Sequence, residues 1–147
     1  MLNTVQQAQE TYQALKTKEF DGELLLFHAR FPIGQRDQIE QRCIRLFGKE
    51  KAARPQKAIL VATQVVEQSL DVDFDVMMTS IAPIDLLLQR LGREFRHEDT
   101  PRPPHLAAPR FYVLIPDETG KFEADGYIYP ECLLKQSIHL LEERSEI

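Results

Sequence analysis

Three arginines recur at intervals of three residues in the segment QRLGREFRH: Arg90, Arg93 and Arg96. Positions i and i+3 share one face of a helix, so the spacing predicts that Arg93 and Arg96 point in the same direction. Paired guanidinium groups are suited to planar, bidentate contact with phosphate oxygens. Gly92 lacks a side chain, which would let a phosphate or another backbone approach closely. The segment therefore predicts a phosphate-binding site.

A second polar segment follows an apolar run and contains one hydroxyl and several acids. A hydroxyl at a strand end, here Thr63, can bind a phosphate oxygen, and a nearby acid such as Asp71 can accept hydrogen bonds from ribose. The alternation of Asp71, Asp73 and Asp75 superficially resembles a calcium-binding loop. The glycine and the terminal glutamate of that loop are absent, so we expect no metal site. We expect Asp73 and Asp75 to be solvated loop carboxylates.

The same residues could also have purely structural roles. An arginine cluster often forms surface ion pairs, which Glu94, Glu98 and Asp99 could supply here. A lone histidine after a strand, such as His28, is more often a hydrogen-bonded structural residue than a ligand. Arg30 lies two residues further on, at the predicted strand end, and is a better candidate for binding phosphate.

The elements that must position these residues alternate between helices and strands. Apolar residues at helical spacing predict helices over 4–17, 35–47, 83 to about 93, and 130–144. Short apolar runs predict buried strands over 23–28, 58–63, 76–80 and 110–115, and residues 117–125 are expected to be a turn region. Such alternation predicts a single α/β domain in which a parallel sheet has helices on both faces. Ligands of such sheets gather at the carboxyl ends of the strands.

Composition limits the class of protein. The chain has 147 residues, of which 43% are hydrophobic and 28% charged, and a net charge of −5. That balance argues against a wholesale polyanion binder but permits a local basic groove. The longest apolar runs, Leu24–Phe27 and Leu86–Leu88, are too short to cross a membrane. Cys43 and Cys132 have no partner at ligand spacing, so we expect reduced thiols, no zinc and a cytoplasmic location.

Several motifs together resemble a known family. VATQVVEQSLDVDFD followed by QRLGREFRH resembles the fifth and sixth motifs of superfamily 2 helicases, and LLLFHARF resembles the fourth. VATQVVEQSLD, IAPIDLLLQRLGR and the closing YIYPECLL are similar to the second RecA-like lobe of the CRISPR-associated helicase–nuclease of type I systems. The resemblance covers residues 1–147, with 116–147 as the trailing segment. It implies a RecA-like fold and a role in antiviral defence.

The resemblance also implies a nucleotide site. Arg93 and Arg96 match the arginines that reach the γ-phosphate of ATP held by the other lobe, where such groups stabilise the charge that develops during phosphoryl transfer. Gln89 matches the leading polar residue that supports the nucleotide site, beside Gly92. Asp71 matches the acid that bonds the ribose or couples the site to nucleic acid. Glu94, which lies between the arginines, departs from the family pattern, and we expect that it could pair with Arg93.

The family further implies partners that this chain does not itself contain. Thr63 and Arg30 match positions near the nucleic-acid backbone, which implies binding of single-stranded DNA. The sequence has no G-x-x-x-x-G-K-[ST] phosphate loop, no acidic magnesium motif and no His-Asp nuclease cluster. ATP and Mg²⁺ would therefore be held mainly by a first RecA-like lobe, and we expect this chain to be inactive alone. The resemblance also implies the CRISPR surveillance complex, Cascade, as a partner.

Two other functions remain open at this point. The chain could be the C-terminal lobe of another superfamily 2 helicase, acting on RNA or in DNA repair. It could also be a non-catalytic module that binds a partner protein, since the acidic net charge and the missing phosphate loop are compatible with that role.

Overall fold

The computed structural model describes residues 1–50, 54–67, 70–117 and 120–143. Parts of the sequence-based predictions lie outside these residues: Gln68 and Ser69 of the fifth motif, residues 118–119 of the expected turn region, and residues 144–147, which include the predicted end of the last helix. The elements, in chain order, are α1 Val5–Thr17, β1 Glu23–Phe27, α2 Ile33–Phe47, β2 Ala58–Ala62, β3 Met77–Ser80, α3 Ile84–Leu91, β4 Phe111–Leu114, α4 Glu123–Ile128 and α5 Glu131–Glu143.

The strands pair in parallel, as the alternation of helices and strands predicts. Strand β1 pairs with β2, so that Phe27 lies opposite Ala62, and α2 makes the connection between them. Strand β3 pairs with β4, so that Met77 lies opposite Phe111, and α3 lies in that connection. The prediction of an α/β domain with parallel strands is confirmed.

The backbone of Met1 and Leu2 joins these two strand pairs. The amide of Leu2 donates to the carbonyl of Ala62, at 2.8 Å, and the amide of Ser80 donates to the carbonyl of Met1, at 2.9 Å. The carboxyl end of β2 therefore lies near that of β3, and the polar residues that follow the two strands can meet.

Two apolar clusters hold the helices against the strands. In the first, Leu25 and Phe27 of β1 pack with Cys43, Leu46 and Phe47 of α2, and with the segment that follows β2. Burial, followed by repulsion from a neighbouring acid, raises the pKa of Cys43 to about 12, so this thiol stays protonated. The second cluster joins the end of β3 and α3 to the C-terminal helices through Ile81, Ala82, Leu87, Phe122 and Leu134.

Several predicted boundaries are wrong, and helix α2 begins at Ile33 instead of Gln35. Helix α3 ends at Leu91 and not near Arg93, because the amides of Arg93 and Glu94 bond to carbonyls three residues back and tighten the last turn. Residues predicted to be a turn region include the start of α4, a helix of six residues that is too short to show helical periodicity. Among the described residues, no helix has the length and apolar character needed to span a bilayer.

Candidate functional site

One side of α3 is open to solvent and leads to the arginine segment. Leu88 and Gln89 are exposed on it, and Gly92 caps its C-terminal end. A Cβ atom added to Gly92 would meet only the carbonyl oxygens of Gln89, at 3.5 Å, and Leu88, at 3.6 Å. These are ordinary contacts, so the packing of this chain does not itself require glycine there. The surface beside Gln89 is free to receive an external group.

Arg93 and Arg96 lie beyond α3, and Arg96 is paired with an acid. The Nε of Arg96 lies 2.9 Å from Oδ1 of Asp71, and the two side chains are 40% and 56% exposed. The Nη2 of Arg93 donates to the carbonyl of Glu67 at 3.1 Å, whereas its Nε is buried and has no hydrogen-bond partner among the described residues. Burial and repulsion from Arg96 lower the pKa of Arg93, while Asp71 opposes this shift. Arg96 is thus paired with a half-exposed carboxylate, and the charge of that carboxylate also acts on Arg93.

The backbone arrangement of the segment that carries these two arginines differs from the prediction. They do not share a helical face, because the helix has ended before Arg93. Instead, the segment pairs with Phe74: the amide of Phe74 donates to the carbonyl of Arg93 at 2.9 Å, and the amide of Phe95 donates to the carbonyl of Phe74 at 3.0 Å. Phe95 has a φ of +50° and lies in a bend just before Arg96.

Arg90, the first arginine of the series, is structural. It is fully buried and donates to Oε1 of Glu67 at 2.8 Å, to Oγ1 of Thr79 at 2.6 Å, to the carbonyl of Ser80 at 3.1 Å and to Oδ1 of Asn3 at 3.2 Å. The periodicity of three in the sequence does not distinguish this residue from the other two. Its contacts fix α3 against β3 and against the segment that follows β2.

The expectation that Glu94 could pair with Arg93 is wrong. Glu94 is buried, and its Oε1 accepts a hydrogen bond from the amide of Arg110 at 2.6 Å. Burial raises its pKa, although the amides of Arg110 and Met77 act in the opposite direction. The acid therefore anchors the start of β4 and leaves the charge of Arg93 in place.

The expectation that Asp73 and Asp75 are solvated is wrong for Asp73, whereas Asp75 is 27% exposed and is paired with arginines. The Asp73 carboxylate is completely buried and accepts hydrogen bonds from Nη2 of Arg102 at 2.6 and 2.8 Å and from Oγ1 of Thr100 at 2.8 Å. Asp75 accepts from Nη2 of Arg54 at 2.7 Å and also from Arg102. Burial would raise the pKa of Asp73, but the hydrogen bonds from Arg102 and Thr100 hold it below its ordinary value.

The candidate nucleic-acid residues lie at the carboxyl ends of β1 and β2. Arg30 is exposed in the turn after β1. Thr63 is only 3% exposed, and its amide donates to the carbonyl of Phe27 at 3.1 Å. His28 is buried and stacks on Phe31 with 4.2 Å between ring centroids, which agrees with the structural interpretation of that histidine. As the chain stands, Arg30 is accessible to a ligand and Thr63 lies beneath the surface.

Sequence comparison now decides the family. The family model for "CRISPR-associated nuclease/helicase Cas3, C-terminal" matches residues 1–99. The chain belongs to the Cas3 family.

Curated relatives agree with this assignment. The chain is 54% identical over 99 residues to the Cas3 endonuclease/helicase of Thermus thermophilus, which is 67% of this chain and 10% of that protein. It is 49% identical over 119 residues to that of Escherichia coli, which is 80% of the chain and 13% of the relative. It is 39% identical over 145 residues to the Cas3 nuclease/helicase of Streptococcus thermophilus. That alignment covers 98% of this chain and 15% of the relative. The chain thus spans only 10–15% of the length of these relatives.

Solved Cas3 structures share the fold. T. fusca Cas3 with AMPPNP superposes with a TM-score of 0.91 at 40% identity, covering 99% of this chain and 17% of that one. T. fusca Cas3 with ATP superposes with a TM-score of 0.90 at 40% identity, covering 99% of this chain and 18% of that one. A chain in a CRISPR RNA-guided surveillance complex before nicking superposes with a TM-score of 0.88 at 41% identity, covering 99% of this chain and 18% of that one. Because the chain belongs to the Cas3 family, the alternative that it is a lobe of an RNA or DNA-repair helicase is no longer needed.

Proposed function

We propose that this chain is the second motor lobe of an ATP-dependent DNA helicase in CRISPR type I interference. In this proposal it supplies Arg93 and Arg96 as arginine fingers to ATP held by a first RecA-like lobe. The observation that carries the proposal is the exposed guanidinium group of Arg96, paired with the half-exposed Asp71, with Arg93 near enough to be influenced by both charges. The relatives that contain AMPPNP or ATP support nucleotide binding in the family.

The electrostatics of the arginine pair favour an anion. Two like charges close together repel, and here a single exposed acid offsets them. The buried Nε of Arg93 lacks a partner among the described residues, so that side chain has a donor to spare. A triphosphate approaching from the first lobe would supply oxygens for the two guanidinium groups. Negative charge that develops on the transferred phosphoryl would then strengthen the same contacts.

The remaining nucleotide residues fit around this pair. Gln89 is exposed beside Gly92, where a phosphate or the facing lobe can approach. Asp71 keeps Arg96 in place before the nucleotide arrives, and it is exposed enough to exchange that contact for one with ribose or nucleic acid. ATP therefore suits the residues of this lobe.

Magnesium does not suit this lobe. Within the described ranges, no group of three or more His, Cys, Asp or Glu residues could hold a metal ion. We assign Mg²⁺ to the first lobe, together with the phosphate loop.

Closing of the two lobes on ATP and their reopening after hydrolysis would move the protein along single-stranded DNA. Arg30 would contact the DNA backbone directly, whereas the buried Thr63 would need a small opening of the loop that follows β2. Such contacts are independent of sequence and weaken with salt. A partnership with the surveillance complex is supported by the related chain found in such a complex.

The proposal predicts that ATPase activity requires both lobes. We call this chain mixed with, or fused to, the first lobe of a curated relative the two-lobe assembly. We expect neither part alone to hydrolyse ATP, and we expect the assembly to do so when single-stranded DNA is added; steady-state phosphate release is the measurement. If the assembly is inactive and the chain binds neither nucleotide nor DNA but does bind a partner protein, a non-catalytic binding module is the better account.

Arg30→Ala is predicted to weaken DNA binding mainly at low salt. Loss of one phosphate contact should reduce the slope of log affinity against log salt by about 0.7 for a single strand. Fluorescence anisotropy of the two-lobe assembly with labelled single-stranded DNA measures this slope. Arg42→Ala is the control, because Arg42 is an exposed arginine already paired with Glu23 on β1. Equal slopes for the two variants would remove Arg30 from the DNA site.

A further inference from the structure

A buried cluster of ionic groups lies directly behind the arginine fingers. Besides its contacts with Arg102 and Thr100, the Asp73 carboxylate accepts a hydrogen bond from the backbone amide of Arg96, at 2.9 Å. Arg54 lies 3.4 Å from the other oxygen of Asp73. One fully buried acid thus connects the backbone of a proposed finger to an arginine that follows it by six residues.

The same arginine also contacts the residue before the finger. The guanidinium carbon of Arg102 lies 3.8 Å from the centroid of the Phe95 ring, within the range of a cation–π interaction. Phe95 has a φ of +50°, a conformation that a bulky residue keeps only when its surroundings hold it there. Arg102 therefore lies against Phe95 on one side and, through Asp73, against the amide of Arg96 on the other.

We propose that Arg102 is a positioning residue for the Arg96 finger: its contacts with Asp73 and the Phe95 ring set where the guanidinium of Arg96 projects. This rests on the proposed function of Arg96. The Arg102 side chain is only 7% exposed and both of its terminal nitrogens bond to Asp73 or Asp75, so it cannot itself reach a nucleotide. Arg102 also lies outside residues 1–99, which the family model matches, so the motif that carries the fingers does not contain it.

A conservative change should disturb this arrangement without unfolding the chain. Arg102→Lys keeps the positive charge next to Asp73 but loses the planar fork and most of the stacking on Phe95. Asp73 would still accept a hydrogen bond from Thr100 and would keep Arg54 nearby, so its buried charge would remain compensated. The backbone of Arg96 would then be less tightly fixed.

The test is a double-mutant cycle in the two-lobe assembly, measured by DNA-stimulated ATPase. We expect Arg102→Lys to lower kcat by about tenfold, since small displacements of a catalytic group cost rates of this order or more, and to leave KM for ATP unchanged. In the Arg96→Ala background, Arg102→Lys should have no further effect on kcat. Arg42→Lys, which alters an exposed ion pair on α2, is the control and should be without effect in both backgrounds.

The outcomes separate this inference from the proposed function. An equal loss from Arg102→Lys in both backgrounds, or no loss at all, overturns the positioning role while Arg96 keeps its own. An unchanged rate in Arg96→Ala overturns the proposed function and this inference with it. Should Arg102→Lys fail to fold, Phe95→Leu removes only the ring beneath Arg102. That variant is then expected to lower kcat in the presence of Arg96 and to have no effect in its absence, and a loss in both overturns the inference.

Discussion

Arg96→Ala is expected to lower the DNA-stimulated ATPase rate of the two-lobe assembly by roughly 10³-fold or more, the scale on which arginine fingers act in nucleotide hydrolases. The effect should fall on kcat and leave KM for ATP nearly unchanged, because the charge that Arg96 offsets develops in the transition state. Single-turnover hydrolysis of ATP measures the chemical step directly.

Two further variants sharpen that result. Arg93→Ala should give a loss of similar size, because both guanidinium groups would face the same phosphoryl group. Arg42→Ala, which removes an exposed arginine from an ion pair with Glu23, should leave the rate unchanged. A rate for Arg96→Ala equal to that of Arg42→Ala would show that Arg96 only pairs with Asp71 at the surface.

Arg90→Met is expected to destabilise the chain by roughly 3–5 kcal/mol, the usual cost of removing one partner from a buried ion pair. The change would leave the Glu67 carboxylate nearly buried and without its cation, and Thr79 and Asn3 would lose a donor. A loss of this size is a large part of the stability of an ordinary domain, about 5–15 kcal/mol. Urea unfolding followed by circular dichroism measures it.

The geometry of the Arg90 site predicts how a lysine behaves there. Arg90 uses Nε, Nη1 and Nη2 for separate partners, and a single ammonium group cannot reach all of them. Arg90→Lys should therefore recover little stability. The exposed Arg42–Glu23 pair provides the comparison: Arg42→Met should cost less than about 1 kcal/mol. A stability of Arg90→Met within that same range would contradict the structural role of Arg90.

Much of the fold follows from patterns that are local in sequence. Runs such as Leu24–Phe27 are apolar without alternation, which is typical of strands in parallel pairs, and β1 lies there. The end of α3 could not be predicted in this way, because it depends on pairing of Glu94 with Phe74, twenty residues earlier in the chain. The short helix α4 could not be predicted either, because its six residues are too few to show helical periodicity.

The site could be predicted only in part, for the same reason. The sequence indicates which arginines to consider, but residue type and the spacing of three do not distinguish the buried Arg90 from the exposed Arg96. What separates them is the set of partners that each one meets: Glu67 and Thr79 around Arg90, and Asp71 beside Arg96. The burial of Asp73 likewise depends on an arginine 29 residues away, in a proline-rich loop with no periodicity to indicate its position.

We infer that this lobe places two guanidinium groups on a nucleotide held by the first lobe. A structure of the two-lobe assembly with single-stranded DNA and ADP–aluminium fluoride, an analogue of the transferred phosphoryl group, tests it most directly. We predict that Arg93 and Arg96 lie within hydrogen-bond distance of the fluoride ligands and that Arg96 has left Asp71. Closed lobes in which Arg96 still bonds Asp71 and neither guanidinium touches the analogue would contradict the account.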